Sequence, residues 1–101
     1  MLASAAHAAP TFAAPQTGTV SVIFFGRVAD TCGRAIDVEI PLRGCSLSQV
    51  KERLCAVLEG AAEALGARGV RAAVAQQLVL DDSVWVRPGD EVAFFSAFSG
   101  G

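Results

Sequence analysis

Histidine is nearly absent from this 101-residue chain. Its one copy, His7, lies in an Ala-rich stretch at the start, so the rest offers no imidazole for a Ser/His/Asp or Cys/His arrangement. The three cysteines, Cys32, Cys45 and Cys55, are odd in number and include no C-x-x-C pair, which with a single histidine argues against a zinc site. No apolar run approaches the ~20 residues that cross a bilayer, and a soluble protein is expected. Lys plus Arg number 8 against Asp plus Glu 10, a net charge of -2, and neither sign forms a block. That leaves no footprint for nucleic acid or a membrane surface. No glycine-rich loop has phosphate-binding spacing between a strand and a helix. Asp81 and Asp82 could be drawn as paired carboxylates or metal ligands, yet a turn explains them more simply. No catalytic residue, bound cofactor or metal is therefore expected in this chain.

Residues 1–18 contain Ala, Ser, Thr, Pro10 and Pro15 but no charge and no helical period, and they read as a disordered extension. Ala-His-Ala faintly resembles a signal-peptidase site, but a basic n-region and a long apolar h-region are missing. Reduced thiols in the cytoplasm are the expectation that follows. A disulfide between two cysteines stays open at this level, as does a sulfur relay; small structural hydrophobes are the simpler reading. Val20 is a plausible alternative start of the protein.

Residues 19–101 read as one domain. Thr19 to Val28 alternates as a strand whose two faces both become apolar, Asp30-Thr31-Cys32-Gly33 turns the chain, and Arg34 to Leu42 alternates again with Ile36, Val38 and Ile40 inward. Ser46-Leu47-Ser48-Gln49 has capping-box spacing, and Val50, Leu54, Val57 and Leu58 follow at helical intervals toward Gly60. Ala61 to Ala67 can form a second short helix. Val70 to Ala75 and Leu78 to Leu80 read as short strands around a turn at Gln76-Gln77. Val84-Trp85-Val86 is extended, with Trp85 as half-buried packing, and Arg87-Pro88-Gly89-Asp90 turns into a last strand ending near Phe95. The order β-β-α-β-β-β predicts an α+β fold in which one mixed sheet clasps one helix, with the first and last strands side by side at its centre.

That last strand runs into Phe98-Ser99-Gly100-Gly101. Two glycines without Cβ atoms can lie extended in a channel too narrow for other residues, carrying a carboxylate into another protein's active site. A chain end without function is the alternative reading of Gly-Gly alone. The two Phe-Phe pairs add to the first reading. If Phe24 and Phe94 face the helix, alternation turns Phe25 and Phe95 to the opposite side, as an exposed apolar patch beside the tail. Cover by loops or by the N-terminal extension is the competing account of that patch.

Val20-Ser21-Val22-Ile23-Phe24-Phe25-Gly26-Arg27 with the turn at Gly33, then Ala72-Ala73-Val74, then Pro88-Gly89-Asp90-Glu91-Val92-Ala93-Phe94-Phe95 and the terminal Gly100-Gly101 resemble the small, sulfur-carrier subunit of molybdopterin synthase. The resemblance spans Val20 to Gly101 and implies the ubiquitin-like β-grasp fold. It implies that a ubiquitin-activating-like adenylyltransferase uses ATP to adenylate Gly101, which then becomes a thiocarboxylate. It further implies that Phe98, Ser99, Gly100 and Gly101 enter the large synthase subunit, which holds the catalytic side chains, in a heterotetramer of two small and two large subunits. Sulfur then passes to a cyclic pyranopterin. Phe25, Leu78 and Phe95 match the family's partner-contacting positions. The chain departs from the pattern at Ser96-Ala97, where the family often has Pro-Pro, and at Ala75, where it often has Asn. Alternatives are a sulfur carrier for thiamine thiazole or tungsten-cofactor synthesis, and a ubiquitin-like protein modifier that forms isopeptide bonds.

Overall fold

A computed structural model describes residues 16–96. The expectations for residues 1–15 and for Phe98, Ser99, Gly100 and Gly101 lie outside the described residues. The first strand, β1 (Thr17–Phe25), starts two residues before the expected boundary, so Thr17 and Gly18 belong to the domain and pair with Pro41 and Ile40. It also ends three residues earlier than expected. Gly26 takes a positive φ of 69°, which ends the strand, and residues expected as strand and turn instead form a short helix, α1 (Arg27–Cys32). Val28 and Cys32, four apart, bury one face of that helix. The second strand, β2 (Ala35–Pro41), then returns antiparallel to β1.

Gly44 follows with a φ of 92°, and a Cβ there would lie 2.6 Å from the Val86 carbonyl oxygen. This close approach lets β3 (Cys45–Ser46) pair with β6 (Trp85–Val86) as a separate two-stranded ladder. The Trp85 indole N–H donates to the Arg43 carbonyl oxygen at 2.9 Å. The main helix, α2 (Leu47–Val57), starts on the expected capping box: the Ser46 hydroxyl oxygen accepts from the Gln49 N–H at 3.2 Å, and the Gln49 carboxamide oxygen accepts from the Ser46 N–H at 3.1 Å. Its buried residues are Leu47, Val50 and Leu54. Val57, expected on that face, is exposed, because at the end of α2 it borders a groove beside the edge strand β2 with Val38, Arg53 and Ala56. Leu58 leaves the helix in an extended conformation and packs against the core.

A short helix, α3 (Ala61–Leu65), leads into β4 (Val70–Val74), β5 (Gln77–Val79) and β7 (Glu91–Ser96). The main sheet has the order β2-β1-β7-β4-β5. Its strands and α2 follow one another along the chain as β-β-α-β-β-β, and β1 and β7 are parallel neighbours at the centre. This is the ubiquitin-like β-grasp. One face of the sheet carries the core, where Val20, Val22, Val92 and Phe94 are fully buried under α2. Phe24 and Phe94, paired in register, stack with ring centroids 6.0 Å apart.

The β4–β5 turn falls on Ala75-Gln76, one residue earlier than expected. Both have positive φ, 51° and 69°, the pattern of a type I′ hairpin turn. Gln77 is thereby released into β5. Left-handed backbone costs an ordinary L-residue roughly 1–2 kcal/mol. Replacing Ala75 by Asn and Gln76 by Gly is expected to stabilise the domain by about 1 kcal/mol, read as a higher urea midpoint at unchanged m-value; an unchanged or lower midpoint would contradict a strained turn.

Candidate docking face and tail exit

Strand alternation decides what the face of the sheet left uncovered by the described helices presents. Residues directly opposite one another on paired strands project to the same side, so the register sorts that face into rows. Phe25, Phe95 and Arg71 form the row nearest the end of β7. The next row is Ala35, Ile23, Ala93, Ala73 and Leu78. The three expected interface residues therefore share one face, contributed by three strands. Phe25 is 53% and Leu78 58% exposed, whereas Phe95 is half-buried between its neighbours. Ile23, Ala73 and Ala93 make the half-buried floor between them. Strand periodicity marked Ile23 as lying opposite the core; assigning Ala73, Ala93 and Arg71 required the β4–β7 register.

The end of the described chain belongs to the same end of the sheet. Ser96, the last residue of β7, lies opposite Val70, and Phe95 immediately before it lies opposite Phe25 and Arg71. Ser96, where the described chain ends, thus lies beside the aromatic row. Arg71 is exposed and donates through its guanidinium to the Val70 carbonyl oxygen at 3.3 Å.

The remaining candidates sit away from this face. Asp81 accepts from the Ser83 N–H at 2.8 Å and from the Ser83 hydroxyl. These bonds hold its carboxyl below the usual range. Asp82 is engaged separately, with both carboxylate oxygens 3.0 Å from the Lys51 amine, itself 6.0 Å from the Phe94 ring centroid. The two aspartates hold a turn and an ion pair and do not face each other as an acid/base couple. Among the described residues no group of three or more His, Cys, Asp or Glu side chains could hold a metal ion, and no helix is long and apolar enough to cross a membrane.

All three cysteines are free: Cys32 and Cys45 are buried and Cys55 is exposed. Burial pushes the Cys32 thiol up, and Cys55 adds to that; burial also pushes the Cys45 thiol up, partly offset by Arg53. Raised thiols are neutral at pH 7 and poor nucleophiles, which weighs against a relay through Cys32 or Cys45. Alkylation of the native protein at pH 7 is expected to label Cys55 alone, with Cys32 and Cys45 reacting only in denaturant. Rapid native labelling of a second cysteine would contradict these burials.

No protein-family model and no curated protein matches the chain. Solved structures do match its fold. SAMP1 from Haloferax volcanii superposes with a TM-score of 0.65 at 20% identity, covering 83% of this chain and 100% of that one. Putative molybdopterin converting factor, subunit 1, from Pyrococcus furiosus gives a TM-score of 0.64 at 20% identity, over 80% of this chain and 99% of that one. The complex of subunits 1 and 2 of the molybdopterin-converting factor from Helicobacter pylori contains a chain with a TM-score of 0.60 at 20% identity, over 82% and 99%. At these identities the likeness establishes the shared fold.

Proposed function

We propose that this chain is a non-catalytic sulfur carrier of the molybdopterin synthase small-subunit type, acting in the cytoplasm. The observation that carries the reading is the junction of two features: an apolar row of Phe25 and Phe95, with Leu78 in the adjoining row, and the end of β7, from which the sequence continues to Gly100-Gly101. An exposed apolar patch marks a protein interface, and a slender tail beside it suits delivery of a chain end to the protein docked there. Likeness of fold to molybdopterin converting factor subunit 1, and to a chain in its complex with subunit 2, supports a large-subunit partner.

The chemistry divides between partners. A carboxylate has no leaving group, so the Gly101 carboxylate oxygen first attacks the α-phosphate of ATP on an adenylyltransferase, giving an acyl-adenylate and releasing pyrophosphate. A reduced sulfur donor then attacks the acyl carbon. The C–S bond forms, the bond to AMP breaks, and AMP leaves with its electron pair. The resulting thiocarboxylate, carried on Phe98-Ser99-Gly100-Gly101, enters the large subunit, where its sulfur bonds to a carbon of a cyclic pyranopterin and water then cleaves the acyl C–S bond, returning the Gly101 carboxylate and leaving the sulfur on the pterin; two small and two large subunits complete the assembly. ATP belongs to the activating enzyme, and this chain holds no cofactor. Carriers for thiamine thiazole or tungsten-cofactor synthesis would use the same tail chemistry.

A second reading is favoured by the likeness to SAMP1, a small archaeal modifier protein. There the activated Gly101 would meet a lysine amine and form an isopeptide bond. Intact mass spectrometry after incubation with ATP, the activating enzyme and sulfide separates the two. A gain of about 16 Da on Gly101, sulfur replacing oxygen, is expected; lysine adducts without that gain would favour the modifier. Phe95→Ala is expected to weaken binding of the large subunit by about 2 kcal/mol while leaving the fold intact, measured by calorimetry, and unchanged affinity would remove Phe95 from the interface.

A further inference from the structure

The uncovered sheet face is divided along its strands in charge as well as hydropathy. Past the Phe25/Phe95/Arg71 row and the apolar row beside it, the next row is Asp37, Ser21 and Glu91, and beyond it Glu39 lies opposite Thr19. Asp37, Glu39 and Glu91 are all exposed, and among the described residues none of their carboxylates makes an ion pair or accepts a side-chain hydrogen bond. No lysine or arginine shares these two rows. The face's one cation in the registered rows, Arg71, sits at the opposite end beside Phe95. Arg53 on α2 borders the groove at the β2 edge with Asp37 and Glu39 but forms no ion pair with them. Scattered surface acids would mix signs; here three acids occupy one half of a continuous face and the aromatic residues the other. Glu91 and Phe95 are four residues apart on β7, so the acidic and aromatic rows are separated by about 13 Å.

Resting on the reading above, that this face docks the protein receiving the tail, we propose that the partner meets it with a two-part footprint. An apolar pocket covers Phe25, Phe95 and Leu78, and a cluster of lysine or arginine side chains about 13 to 20 Å away faces Asp37, Glu39 and Glu91. The apolar part provides the anchor, and the charged part steers the encounter and fixes the orientation that points the tail into the partner. Orientation matters because an apolar patch alone is compatible with rotated docking, whereas acids at one end and the tail exit at the other are not.

The test is titration of the full chain into the purified large subunit of molybdopterin synthase from the same organism, at low and high ionic strength. Asp37→Lys, Glu39→Lys and Glu91→Lys combined are expected to weaken binding about tenfold or more. The neutral set Asp37→Asn, Glu39→Gln and Glu91→Gln, milder on folding, is expected to flatten the salt dependence that the wild-type chain shows. Both sets binding as wild type with the same salt dependence, while Phe95→Ala weakens binding, would overturn the charged half and leave the apolar docking face standing. Wild-type chain that does not bind at all would overturn the functional reading and this inference together.

Discussion

The parallel pairing of β1 with β7 is the constraint on which the rest depends. It joins segments from opposite ends of the described chain, and it aligns Phe24 with Phe94 and Phe25 with Phe95. Because successive strand residues face opposite ways, one register step fixes two outcomes. Phe24 and Phe94 stack in the core beneath α2, and Phe25 and Phe95 are placed together on the uncovered face. A slip of one residue in either strand would expose a core ring and bury a surface one, so the core's burial energy enforces the layout of the surface.

The same pairing sets where the described chain ends. β7 lies between β1 and β4, and its last residues sit opposite Phe25, Arg71 and Val70. The core therefore supports a surface in which an apolar patch, a flanking arginine and the end of β7 occupy one end, while carboxylates with no ion pair among the described residues occupy the other. Among the described residues, no side chains of a conventional active site are gathered there. What the arrangement supplies is position: an apolar patch and the end of β7 held together at one end of the sheet.

Much of this was legible in the residues because alternation and capping are local. The Ser46/Gln49 capping box located α2, and the Phe-Phe pairs identified which aromatic of each pair would lie outside. Local patterns were less informative where backbone conformation or tertiary packing decided. The positive φ at Gly26 converted an expected strand end and turn into α1, whose Val28 and Cys32 spacing was present but short. Ala75 occupies left-handed backbone that its type disfavours, which shifted the hairpin turn by one residue. Val57 has helical spacing yet lies beside the β2 edge, a consequence of where α2 ends over the sheet. The acidic rows were half legible: alternation puts Asp37 and Glu39 outward together on β2, but Glu91 joins them only through the β2-β1-β7 order.

Amide chemical-shift mapping of the full isotope-labelled chain, titrated with the large synthase subunit, tests the central claim most directly. The account predicts that the perturbed residues include Phe25, Asp37, Ala73, Leu78, Glu91, Phe95 and those of the Gly-Gly tail, with Glu52 and Glu63 on the helical side unchanged. Perturbations gathered on the helical side, with the uncovered sheet face silent, would contradict it.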